Sequence, residues 1–349
     1  MSLVVLDGTY GEGGGSLIRT ALAMSAITQQ PVRVSSVRGN LKAQGLQPED
    51  LTILNAFKQS THAETAGAEF GSTEFSFLPS RAPIAQNSSL KVPEGMDGLS
   101  HANCNIVLNT LLPVLARTGA YSELSVEGET YGHGALGFDS FCGPTLTVYR
   151  RMGIYAVADQ LEAGFGRHSR GQVHCEVEPS AFNGLEWNTR GELRRVNAIF
   201  AIGDLPESIA QRGVGYLKRL NQGLGLDLEI EVLNLKYKTQ GLNLTIWAEF
   251  ESGVGGTQSS GARGLRVETV VQTAFEEFKK FYQSEATLDE FLADQVILAA
   301  ALAESPSSFR VSRLSARLLT SIWVIKQFLP IHITVKGKQD QAGLVTVKR

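Results

Sequence analysis

The sequence is short of several things, and each shortage removes a class of function. Cysteine is scarce: Cys104, Cys142 and Cys175 are isolated thiols with no C-x-x-C spacing. Three such thiols give neither a disulfide framework nor a zinc cluster, and they suit a reducing compartment. No apolar run approaches the ~18 residues that cross a bilayer, so no membrane partner is expected. The opening MSLVVLDGTYGEGG has no basic segment before its apolar run, so a cytoplasmic protein without a secretory leader is expected. A net charge of −3 lacks the basic excess of a protein that coats DNA or long RNA. A few arginines can still grip one strand end.

What is present is a substantial core. Of 349 residues, 43% are apolar and only 19% charged, which suits one large domain or two ordinary ones. LVVLDG reads as a buried strand, SLIRTALAMSAI as a helix with apolar residues at helical spacing, and PVRVSSV as a strand. The helix-then-strand phrase returns in NIVLNTLLPVLARTG with SELSVEGE, in DQVILAAALAES with SFRVSRLS, and in RLLTSIWVIKQFL with IHITVKGK. These phrases predict copies of one small α/β unit, and the fold class is α/β (α+β) with helices covering one face of each sheet. The texture changes over 184–262, which is expected to be an inserted α/β module; 1–183 and 263–349 then form the main body. SGVGGTQSSGARG is expected as an exposed turn near that boundary, and RVETVVQTAFEEFKKFYQS as the helix returning to the main body.

Residues 7–20, DGTYGEGGGSLIRT, place Glu12 inside a glycine run at a helix start. The run lacks the Gly-Lys-Ser/Thr of a P-loop and the spacing G-x-G-x-x-G of a dinucleotide site. Backbone donors at a helix N-terminus favour anions, so a carboxylate among them needs a neutralising cation. The stretch reads either as a phosphate-handling loop or as a plain strand-to-helix turn.

LDGTYGEGGGSLIRTALAMSAITQQPVRVSSVRG, GLQPEDLT, RGLRVETVV, EFLADQVILAAALA and RLLTSIWVIKQFLP, in that order, resemble the RNA 3′-terminal phosphate cyclase family. GEGGG and LADQ are the most specific pieces, and the resemblance covers nearly the whole chain. It implies a large domain of repeated units with a smaller α/β domain inserted. It also implies an ATP-dependent conversion of a terminal RNA 3′-phosphate into a 2′,3′-cyclic phosphate, through a histidine that carries AMP. By the same resemblance Glu12 binds a divalent metal, Mg²⁺ or Mn²⁺. Gly13, Gly14, Gly15, Arg19 and Arg38 contact phosphate or RNA. Asn109, Phe291, Leu292, Ala293, Asp294 and Gln295 form the nucleotide pocket. The plainer readings stay open: Arg19 and Arg38 as surface cations, Phe291 as a core aromatic, Asp294 and Gln295 as helix caps.

The family's nucleophilic histidine falls in SRLSARLLTS, where this chain has Arg317. Guanidinium stays protonated, so its reactive form is roughly a millionth of the population, a handicap of about 8 kcal/mol. An adenylated Arg317 is excluded on that ground, although its forked donors can hold a phosphate or RNA end. The stretches LSHANCN and GFGRHSRGQ, and Leu41 beside Lys42, also depart from the family pattern. His101, His133 and His168, in polar or glycine-rich loops, are the candidate replacement imidazoles. Two functions follow: a cyclase-family protein binding RNA 3′ ends and ATP, or a catalytically silent relative in RNA processing or ribosome assembly. A different phosphoryl-transfer enzyme built on the same loop is a third. Self-association stays open.

Overall fold

The computed structural model describes residues 2–94, 102–166, 169–235 and 240–348. Its architecture repeats one topology. The first unit has β1 (Val4–Asp7), α1 (Gly15–Thr28), β2 (Val32–Ser35), α2 (Pro48–Thr61), β3 (Glu64–Ala66) and β4 (Phe75–Leu78). Its sheet runs β1-β2-β4-β3, with β1 and β2 parallel and the other neighbours antiparallel. β1 is an edge strand whose Val5 is exposed, not the buried strand its apolar run suggests.

The second unit has β5 (Asn87–Lys91), α3 (Cys104–Leu115) and β6 (Ser122–Gly128). A helical segment follows, made of α4 (Phe138–Ser140), a π-helical turn (Phe141–Thr145) and α5 (Leu146–Arg151). β7 (Ala156–Glu162) and β8 (Gly171–Val177) complete the order β5-β6-β8-β7, again parallel once and antiparallel twice. A parallel pair needs a crossover, and in each unit a helix supplies it.

The third unit starts with the two-residue β9 (Glu186–Trp187) and is then interrupted. The interruption carries β10 (Leu193–Gly203), α6 (Glu207–Asn221), β11 (Leu228–Leu235), β12 (Gly241–Phe250), β13 (Gly253–Ser260) and α7 (Val267–Gln283). Its sheet runs β11-β10-β12-β13. The chain then resumes with α8 (Glu290–Leu302), β14 (Ser307–Val311), α9 (Ala316–Phe328), β15 (His332–Lys336) and β16 (Gly343–Lys348). β9 pairs parallel with β14, and the order β15-β16-β14-β9 repeats the other two units.

Two cores result. The larger joins α1, α3, α8 and α9 over the three repeated sheets, with Phe57, Phe75, Phe77 and Phe309 fully buried. Each such ring contributes about 2–3 kcal/mol by leaving water. The smaller joins β10 and β12 to α6 and α7, through Val270, Val271, Ala274, Phe275 and Phe278 on one face of α7. The helix expected to return the chain to the main body therefore packs on the inserted sheet, while β9, inside 184–262, belongs to the third repeated sheet.

The stretch 252–264 corrects its sequence reading. It is no exposed turn: residues 253–260 form β13, paired along its length with β12. Its glycines serve close approach. A Cβ on Gly255 would lie 2.2 Å from the Phe281 ring, and one on Gly256 would lie 2.5 Å from Trp247 Cβ. A strand pressed between bulky rings requires residues without side chains.

Candidate active site

The turn after β1 is built by glycine. Gly11 and Gly13 both take φ +63, which L side chains rarely adopt. The Glu12 N–H donates to Thr320 Oγ1 of α9 at 2.9 Å, joining the first and third units. The Ser16 hydroxyl donates to Glu12 Oε2. Gly14 caps α1 without any side-chain hydrogen bond, and no acidic residue stands in the first turn. The helix thus presents backbone donors with a partial positive charge.

This turn faces a cavity of about 510 Å³, within the range of small-ligand sites. Unit one contributes Glu12, Gly15, Arg19, Arg38 and Glu49. Unit two contributes Asn103, Ile106 and the loop Gly132–Leu136. The inserted module contributes Gly256–Ser260 of β13, and unit three contributes Asp289, Phe291, Leu292, Asp294, Gln295 and Arg317. All three repeats and the insertion meet there.

The charges are arranged in pairs. Arg317 Nε lies 3.7 Å from Glu12 Oε1. Arg19 Nη1 lies 3.8 Å from Glu49 Oε2. Arg38, 7% exposed, is bonded to Asp50 and donates to the Gly45 carbonyl at 3.1 Å. Burial opposes its charge most, yet Asp50, Glu49 and Glu12 together raise its pKa above the ordinary value. Burial pushes Asp294 up to about 6, against the opposing pull of Arg317, Arg19 and the Ser321 hydroxyl. Burial also raises Asp289 to about 6, although three backbone N–H groups favour its charged form. Two of those groups, on Phe291 and Leu292, are the α8 cap, and the third is Gly256 of β13 at 2.9 Å.

The expected residues separate clearly. Glu12, Gly15, Arg19, Arg38, Phe291, Leu292, Asp294, Gln295 and Arg317 line the one cavity. Gly13 and Gly14 are buried in the turn and do not. Ala293 is wholly buried in the larger core, because it faces away from the cavity on α8. Asn109 sits inside α3, its Oδ1 3.0 Å from the Tyr149 hydroxyl, and is likewise off the wall. Asp294 and Gln295 are not caps: Asp289 caps α8, and Gln295 Oε1 accepts from Thr145 Oγ1 at 2.6 Å. Phe291 is 49% exposed, so it is not a core aromatic. His133 is the one histidine on the wall among the described residues. His101 and His168 lie outside them.

These positions run almost the length of the chain, and one comparison spans them all. The sequence model of the RNA 3′-terminal phosphate cyclase family matches residues 10–335. The chain belongs to that family. Every cavity-lining residue falls inside the match. Similar proteins include the RNA 3′-terminal phosphate cyclases of Methylococcus capsulatus and Gloeothece citriformis. The first is 32% identical over 99% of this chain and 97% of its own. The second is 31% identical over 93% of each chain. The cyclase of Pyrococcus furiosus is 30% identical over 99% of both.

Much of this cyclase-family cavity is invisible to sequence reasoning. The β13 wall reads as a loop, Asp289 lies just outside the quoted motifs, and Glu49, although inside GLQPEDLT, is given no role by the sequence. A signal for β13 does exist: its Gly-Gly-Thr-Gln-Ser-Ser follows the alternating strand GLNLTIWAEF at hairpin distance. Among the described residues no helix is long and apolar enough to cross a membrane.

The donor set also tests the two small groups that the family resemblance implies. A nucleotide fits: the volume, the uncapped start of α1, the Arg19 and Arg317 donors and the exposed Phe291 ring suit phosphates and a base. A divalent ion at Glu12 fits poorly. One oxygen faces Arg317 and the other accepts from Ser16. Among the described residues no group of three His, Cys, Asp or Glu is poised to hold a metal.

Proposed function

We propose that this chain binds the 3′-phosphate end of an RNA together with ATP in the cavity between Glu12 and Asp294, and that any cyclisation there proceeds without a covalent intermediate at position 317. The observation that carries the reading is the convergence of Arg19, Arg317 and Phe291 from distant segments on one cavity. Arg19 and Arg317 direct N–H donors at phosphate oxygens, and the exposed Phe291 ring offers a stacking face to a base. The wall carries the guanidinium groups of Arg19, Arg38 and Arg317 but also the carboxyls of Glu12, Glu49, Asp289 and Asp294. Anion capture therefore rests on aimed donors rather than on a bulk positive field, and affinity should fall shallowly with salt.

Bound ATP would supply the activation that a terminal phosphate needs before its 2′-hydroxyl can close the ring. Arg317 stabilises the charge that develops on the phosphate oxygens. His133 and Asp294 stand on the wall as proton acceptors for the hydroxyl. The absence of an imidazole from Arg317's position favours the rival reading, a relative that binds RNA ends without chemistry.

Incubating the protein with α-labelled ATP and an RNA bearing a 3′-phosphate separates the readings. Cyclic ends without labelled protein support direct activation. Acid-labile label on the protein, lost in His133→Asn, identifies a replacement nucleophile in place of direct activation, and label mapping to Arg317 overturns the reading. Retained RNA-end binding with neither product assigns the chain to the silent class.

A further inference from the structure

We infer that the Arg317 guanidinium is the built-in cation of the Glu12 carboxylate and takes the place where a divalent ion would sit. The inference goes beyond the proposed function and does not require RNA or ATP to bind. Arg317 Nε is 3.7 Å from Glu12 Oε1, and the Ser16 hydroxyl donates to the other oxygen, so each carboxylate oxygen already faces a donor.

The juxtaposition is held in register. The Glu12 backbone N–H is anchored by Thr320 Oγ1, three residues after Arg317 on α9. Residues three apart on a helix share a face, so the contact that fixes the glycine turn also fixes the height of Arg317 above Glu12. α9 itself is pinned at its start, where Ser315 Oγ accepts from the Leu318 N–H at 3.1 Å.

A small divalent ion would have to displace this arrangement. Mg²⁺ demands near-octahedral oxygen ligands and keeps its waters tightly, and a fixed positive charge a few ångströms away repels it. No cluster of three His, Cys, Asp or Glu among the described residues offers an alternative seat. Arg317 makes no second ion pair within 4 Å among those residues. Its terminal nitrogens are therefore available to an incoming anion while Nε serves Glu12.

The test uses the full chain and Mn²⁺ alone, with free Mn²⁺ read by electron paramagnetic resonance. Wild type, Glu12→Gln and Arg317→Lys should take up Mn²⁺ equally weakly. Arg317→Gln should gain a site of one ion per chain, tighter by about tenfold or more, as removing a unit charge at this range allows. That site should vanish in Arg317→Gln with Glu12→Gln. Circular dichroism and melting temperature certify that each variant is folded. A saturable Mn²⁺ site in wild type that Glu12→Gln abolishes would overturn the inference. So would an Arg317→Gln protein that is folded yet binds no more Mn²⁺ than wild type.

Discussion

Arg317 Nε stands 3.7 Å from Glu12 Oε1, so the first turn of α9 closes over the glycine turn that follows β1. The two segments lie at opposite ends of the chain and belong to different repeats of one βαβαββ topology. Packing those repeats side by side brings their helix starts together and makes the cavity.

Arg317→His tests what that position does chemically. Neutral imidazole carries a free lone pair near neutral pH, whereas guanidinium does not. With α-labelled ATP, Arg317→His is expected to acquire acid-labile label that both wild type and Arg317→Gln lack at this position. Phosphopeptide mapping reads the site of attachment.

Arg38 and Asp50 form a buried pair, with Asp50 wholly excluded from solvent. Asp50→Ala strands the guanidinium and removes the acceptor of the Gln47 N–H at 2.9 Å. Breaking one partner of such a pair costs about 3–5 kcal/mol, so urea unfolding should show a loss of that order. Arg19 is only partly buried and its ion pair is long, so Arg19→Ala should cost about 1 kcal/mol or less.

Asp139 is buried, and burial raises its pKa to about 7 despite the hydrogen bond from the Tyr131 hydroxyl. Its Oδ2 has no hydrogen-bond partner among the described residues. The folded state therefore holds this proton at pH values where the unfolded chain has released it. Stability contributed by the neutral form is full below the ordinary carboxylate value of 3.8 and is lost as pH rises to about 7. Asp139→Asn should flatten that decline. Each tenfold change in proton affinity on folding is worth about 1.4 kcal/mol. The variant should therefore be more stable than wild type at pH 8 by a few kcal/mol, and nearly equal at pH 4, in urea unfolding at the two pH values.

Gln258 of β13 donates to the Ala135 carbonyl and accepts from the Gly137 N–H at 2.9 Å and the Ser140 hydroxyl at 2.7 Å. It thereby holds the loop that carries His133. Gln258→Ala strips the buried Gly137 N–H of its acceptor and should cost about 1–3 kcal/mol of stability. Backbone exchange protection should fall in Gly132–Ser140 and stay unchanged in α1.

The repeats were legible because helix-then-strand phrases carry their own periodicity, and each copy must bury the same faces. Glu12 and Arg317 were each singled out through motif resemblance, but their pairing was not legible, because the resemblance gives Glu12 a divalent ion. What stayed hidden depends on tertiary contact. Ala293 and Leu292 are adjacent, but only their directions on α8 put one in the core and the other on the wall. β13 looks like a loop because its glycines answer Phe281 and Trp247, which local sequence does not reveal. α7 reads as amphipathic, and nothing in that pattern states which sheet its apolar face covers.

The central claim is tested most directly by equilibrium binding of one RNA oligonucleotide with either a 3′-phosphate or a 3′-hydroxyl. Wild type should prefer the phosphate end by about tenfold or more, the worth of one charge-assisted contact. Arg317→Gln and Arg19→Ala should each erase most of that preference while leaving binding of the hydroxyl end unchanged. Equal affinity for the two ends in wild type, or a preference untouched by both substitutions, would contradict the account.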